Sequence, residues 1–148
     1  DIDAKCILTR CKIWSSENSK ESNSIPLPAN LLEVDPGSYK YMLGIYAPAK
    51  DFLKITTYYI KNPFVSKITL GFEKIDSDLI KKISILIKEF DDKPIHVSGF
   101  CNKNDKYIYE IYAQGEDENS INVFIDNIKK LGIPFEVDIQ DIELNEEI

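Results

Sequence analysis

KYIYEIYAQGEDENSINVFIDNIKKLGIPFEVDIQDIEL, Lys106 to Leu144, carries the plan of the chain, because an earlier stretch has the same layout. That stretch is Lys40 to Ile75, KYMLGIYAPAKDFLKITTYYIKNPFVSKITLGFEKI. Their openings, KYMLGIYA and KYIYEIYA, agree at five of eight positions: Lys40/Lys106, Tyr41/Tyr107, Ile45/Ile111, Tyr46/Tyr112 and Ala47/Ala113. In each, a helix-like pattern follows, then Pro-Phe (Pro63-Phe64, Pro134-Phe135), then an alternating apolar run. The reading is a duplicated ββαβ unit.

Working outward, Asp35-Pro36-Gly37-Ser38 is a turn that launches a strand over 39–47. Pro48 suits the first turn of a helix, and Phe52, Ile55, Thr56, Tyr59 and Ile60 recur at helical spacing up to Asn62-Pro63. From Val65 the period is two, with Ile68, Leu70 and Phe72 facing in. Asp76 caps a helix over 77–90 whose stripe is Leu79, Ile80, Ile83, Leu86, Ile87 and Phe90. Ile95 and Val97 mark a strand to Cys101, Asn102 to Asp105 a hairpin turn, and Tyr107, Tyr109 and Ile111 the next inward face. Asp117 or a neighbour caps a further helix, with Ile121, Phe124, Ile125, Ile128 and Leu131 on its apolar side. Gly132 sits at the left-handed position that ends it. Phe135, Val137 and Ile139 form the final inward face, and the acidic tail ELNEEI is expected to fray.

Before the repeat, Lys5 to Trp14 reads as a strand, 15–24 (SSENSKESNS) as a mobile loop, and IPLPANLL as a segment docked on the body. The expected fold class is α+β. A ferredoxin-like βαββαβ sandwich over 65–144 follows a related ββα segment, with an antiparallel sheet. The expected division is a first unit at 1–75, a linking helix at 76–92 and a second unit at 93–148, all within one domain.

Composition narrows the function. The 148 residues carry a net charge of −7, 43% hydrophobic and 29% charged side chains, as a soluble globular chain does. No apolar run approaches the roughly 18 residues of a membrane span, and DIDAKCILTRCK is not a signal peptide. Asp1 rather than Met at the start suits an excised or processed segment. Cys6, Cys11 and Cys101 are an odd number, as expected for a reduced, cytoplasmic protein.

If helices cover one sheet face, the other carries Thr69, Gly71, Glu73, His96, Ser98, Phe100, Ile108, Glu110, Tyr112, Glu136, Asp138 and Gln140. His96, Ser98, Phe100, Glu110 and Tyr112 are the candidate ligand-binding set, since a face kept only for solubility would collect Lys, Glu and Thr instead of Phe100, Ile108 and Tyr112. The competing reading is a solvated face, which antiparallel sheets commonly have. His96 with Glu110 or Asp138 is a possible metal or acid–base pair, but its spacing is undiagnostic. Cys6 and Cys11 point to opposite sides of a strand, which does not suit zinc. No GxGxxG or P-loop occurs. No catalytic residue, metal or cofactor is assigned, and the expected partners are a small-molecule ligand and a second copy in a homodimer.

The opening strand with its early cysteine, the helix ending before Pro63-Phe64-Val65, and the closing IKKLGIPFEVDIQDIEL resemble the amino-terminal domain of archaeal regulators of the bacterio-opsin activator type. The resemblance covers nearly the whole chain and rests on layout. It implies a sensor-like α+β region of a transcriptional regulator, reaching DNA only through a helix-turn-helix that this sequence does not contain. A looser likeness is to the ACT-type amino-acid-binding domain, which has the same βαββαβ order. The chain lacks that domain's glycine-marked turn at Ile75-Asp76-Ser77. The combined expectation is a non-enzymatic regulatory module, with a small ferredoxin-like enzyme using His96 as the alternative.

With seventeen lysines, one arginine (Arg10) and excess acid, the chain alone should not recognise DNA sequence. Gel-shift titration at moderate salt is expected to show no sequence-specific complex in the nanomolar range.

Overall fold

Among the described residues the strands form two four-stranded sheets. The computed structural model describes residues 5–10, 41–48, 53–60, 62–90, 94–115 and 118–145. In chain order the elements are β1 (Lys5–Arg10), β2 (Tyr41–Pro48), β3 (Leu53–Ile60), β4 (Val65–Phe72), α1 (Ser77–Lys88), β5 (Pro94–Cys101), β6 (Tyr107–Gln114), α2 (Glu118–Lys129), β7 (Phe135–Ile142) and β8 (Leu144–Asn145). One sheet runs β3-β2-β1-β8, the other β5-β6-β4-β7. The fold class is α+β, and the second sheet with its two helices has the ferredoxin-like βαββαβ order. The expected loop at 15–24, the turn at 35–38 and the cap at Asp117 lie outside the described residues.

Three expectations need correction. The helix predicted after Pro48 is a strand, since Leu53–Ile60 pairs antiparallel with β2 from Tyr41↔Ile60 to Pro48↔Leu53. LKITTYYI is dense in β-branched and aromatic residues, whose χ1 restriction disfavours helix and suits a pleated surface. Its apolar positions fit either period, so only the partner strand could arbitrate. The shared letters of the two stretches therefore mark matching strands, β2 and β6, one followed by a strand and the other by a helix. Second, the tail is not wholly loose: Leu144 and Asn145 pair parallel with Leu8 and Thr9. Third, the chain divides into a unit of Phe64–Glu143 and a unit of the strands before it with β8. β4 thus belongs with the later elements.

In the unit of β1, β2, β3 and β8, Leu8 stands opposite Leu43 and Leu144, and Leu8, Leu43, Ile45 and Ile60 are buried. Each fully buried aliphatic side chain contributes about 1.5–3 kcal/mol.

In the Phe64–Glu143 unit, the helix start at Asp76 and the helix end at Gly132 are as read from the sequence. Asp76 Oδ1 accepts a 2.8 Å hydrogen bond from the Leu79 N–H, satisfying an N–H that the helix itself leaves open. Gly132 has φ 71° just beyond α2, a conformation in which a Cβ would be strained. The β5–β6 turn is built by Asn102, whose Oδ1 accepts from the N–H groups of Asn104 and Lys106 at 2.9 and 3.0 Å. That local bonding is the Asx behaviour that makes Asn a turn residue.

The core lies between the helices and one sheet face. Ile68, Leu70 and Phe72 of β4 and Tyr109, Ile111 and Ala113 of β6 meet Leu79, Ile83, Phe90, Ile121, Phe124, Ile125 and Ile128. Phe90 stacks on Phe124 at 4.7 Å between ring centroids, and Phe72 meets Tyr109 edge-on at 6.1 Å. Among the described residues no helix is long and apolar enough to cross a membrane.

Tyr109 puts a phenol into this core. Burial, and then Tyr107 beside it with ring centroids 5.0 Å apart, push its pKa up to about 12 from 10.0. The folded state holds that proton more tightly than the unfolded state does. Its contribution is therefore complete below pH 10.0 and is lost as pH rises towards 12. Melting temperature followed from pH 9 upward should fall more steeply for the wild type than for Tyr109→Phe, which has no proton to lose.

Candidate functional site

The pairing of β5, β6, β4 and β7 arranges the sheet face away from the helices as a grid. One row is His96, Tyr112, Lys67 and Gln140; the next is Ser98, Glu110, Thr69 and Asp138; the third is Phe100, Ile108, Gly71 and Glu136. Side chains alternate strictly along strands, so core residues on one side dictate these on the other. All five candidate residues lie on this face, on adjacent strands: His96 faces Tyr112, Ser98 faces Glu110, and Phe100 faces Ile108.

Their accessibility differs. Phe100 is 42% exposed, while His96, Ser98 and Glu110 are half-buried. Tyr112, expected to lie open, is 1% exposed. Its ring centroid is 6.1 Å from that of His96 and 5.7 Å from Lys67 Nζ. Lys67 Nζ lies over the ring, and strand parity does not register such cover.

Alternation with Ile68 puts Lys67 on the outward side, but its role was not legible in the sequence. From the cell beside Tyr112 it reaches diagonally to Glu110, with Nζ 3.8 Å from Oε1. Both side chains are largely sheltered, where screening by salt is weaker than at an open surface. Lys106 Nζ meets Glu136 Oε1 at 3.2 Å, but Glu136 is well exposed and this pair contributes little. The only hint in sequence was that Lys67 shares its face with the acids of β6 and β7.

The arrangement separates residues that the sequence allowed together. Asp138 is on β7 and His96 on β5, three strand spacings apart. At about 4.8 Å per spacing that is roughly 14 Å, too far for one small substrate or one metal ion. Across the strands Ser98 faces Glu110, and His96 faces Tyr112. Among the described residues no group of three His, Cys, Asp or Glu side chains converges as a metal site would require. Cys101 is exposed and Cys6 half-buried, both as free thiols, and Cys11 lies outside the described residues. What this face offers chemically is an exposed aromatic ring, an aliphatic neighbour, a hydroxyl and a sheltered Lys–Glu pair within three strands.

The two rings on this face should respond differently to truncation. Phe100→Ser, at an exposed site, is expected to leave the melting temperature nearly unchanged. Tyr112→Ser removes a buried ring and should cost about 3–5 kcal/mol. Urea denaturation of both variants measures the contrast, and equal losses would show that Phe100 is part of the packing.

No family model matches this chain, and no curated protein matches it either.

Proposed function

We propose that the protein is a regulatory, sensor-like module that takes up a small ligand on the open face of the β5-β6-β4-β7 sheet. The observation that carries this reading is Phe100, 42% exposed beside Ile108, with Ser98 and Glu110 in the adjoining row. Exposed aromatic surface next to a few placed polar groups is the common composition of small-molecule sites. Leaving such a ring in water forgoes burial at about 25 cal/mol per Å². The ligand that suits it has a flat apolar part to lie on Phe100 and a hydroxyl or amino group for Ser98 and Glu110. His96 borders the site and Tyr112 supports it from beneath.

The ferredoxin-like order, together with the opening strand and the closing IKKLGIPFEVDIQDIEL that resemble bacterio-opsin activator-type regulators, supports placing this module in a transcriptional regulator, with DNA read by a part outside these 148 residues. On this reading the chemistry is binding rather than catalysis, and the Lys67–Glu110 pair is a polar anchor rather than an acid–base couple. The ACT-like version of the same idea makes the ligand a free amino acid.

The test is a titration of isotope-labelled protein with a panel of small metabolites that includes the free amino acids. Amide resonances of Ser98, Phe100, Ile108 and Glu110 should move together for the compound that binds, and Phe100→Ser should weaken that response. Movements confined to other surfaces, or a response indifferent to Phe100→Ser, would count against the open face.

A further inference from the structure

Phe100 and Ile108 form the apolar row of the open face, and Ser98 and Glu110 stand opposite each other one row along. Ile108 leans over Gly71, with Cδ1 3.5 Å from where a Cβ on that glycine would stand. The apolar surface therefore continues from Phe100 towards β4. Rows two residues apart on a strand are separated by about 6.6 Å. A ring laid on Phe100 thus brings a polar group two carbons away from it to Ser98 and Glu110.

Glu110 decides what that polar group is. Its side chain is only 16% exposed, yet among the described residues the cation beside it, Lys67 Nζ, stops at 3.8 Å. A charge-assisted hydrogen bond closes to about 2.7–2.9 Å. A sheltered carboxylate with acceptor positions unused is costly, and a donor cation offsets that cost. The surrounding charge has the same sign. The rows of Ser98 and Phe100 hold Glu110, Asp138 and Glu136 and no lysine. Lys67 and Lys106, from outside those rows, each already meet a carboxylate.

We infer that the ligand of the open face, on the reading just proposed, is an arylalkyl amine bound as its ammonium cation. The ammonium donates to the Glu110 carboxylate and to Ser98 Oγ, and the aromatic body packs on Phe100 and Ile108. A cation near the exposed Phe100 ring also gains from the ring's negative face. The same geometry disfavours a free amino acid. Its carboxylate, on the carbon that bears the ammonium, is held against Glu110 and the acids of β7, and like charges so placed cost affinity.

Titration of the isotope-labelled 148-residue chain with four compounds sharing a phenyl ring on a two-carbon spacer tests this: 2-phenylethylamine, 2-phenylethanol, phenylalanine and 3-phenylpropionate. The amine should move the amide resonances of Ser98, Phe100, Ile108 and Glu110 and bind at least about tenfold more tightly than the alcohol. Phenylalanine should bind more weakly than the amine, and the propionate weakest of all. Added salt should weaken the amine and leave the alcohol unchanged. Glu110→Gln should remove the amine's advantage over the alcohol, whereas Phe100→Ser should weaken both. If Glu110→Gln does not fold, the ranking of the four compounds on the wild type decides. An alcohol or acid that binds these residues as tightly as the amine overturns the inference and leaves the open-face reading standing. An amine preference unchanged in a folded Glu110→Gln protein does the same. Silence of these resonances towards all four compounds also overturns the inference, and the metabolite panel then judges the open-face reading separately.

Discussion

The pairing of β4 on both sides is the constraint from which the Phe64–Glu143 unit follows. β4 is bonded along its length to β6 on one side and β7 on the other. Because side chains alternate along a strand, a slip of one residue on either side would exchange the two faces. Ile68, Leu70 and Phe72, all nearly inaccessible to solvent, therefore settle more than their own burial. They decide that Ile111 and Tyr109 join the core, and that Lys67 and Thr69 join Glu110, Asp138 and Gln140 on the other side.

The same constraint gives the two sheet faces different work. On the helix side, aliphatic and aromatic packing provides the stability, and even Tyr109 is held with its phenol strongly favouring the neutral form. On the opposite side, polar groups are spaced by the strand period rather than gathered around a point. A grid of this kind can hold a ligand lying across it. The separation of His96 from Asp138 is a direct consequence of strand order.

Helices and edge differ in how they are specified. The α1 start depends on one local bond from Asp76 and the α2 end on one glycine, so both could be read from neighbouring letters. Strand β3 depends on β2, the strand just before it, with which it pairs from Pro48↔Leu53 outward. LKITTYYI could satisfy a helical stripe or a strand, and the cross-strand pairs from Tyr41 to Pro48 select the strand. Leu144–Asn145 is a similar case, since it pairs with β1, far away in sequence.

By itself the sequence determined what local chemistry and periodicity can determine: two amphipathic helices with their caps, the strands at 65–72, 94–101, 107–114 and 135–142, and the ferredoxin-like order. It also determined, through strand parity, which residues share the face of His96, Ser98, Phe100, Glu110 and Tyr112. Only the tertiary structure decided what depends on which strands pair. It turned 53–60 into a strand, ordered the sheet β5-β6-β4-β7, and set Asp138 three strands from His96. It also buried Tyr112 beneath Lys67 while leaving Phe100 exposed. The physical reason is that parity assigns a side chain to a face, whereas burial and proximity depend on which strands and side chains lie beside it.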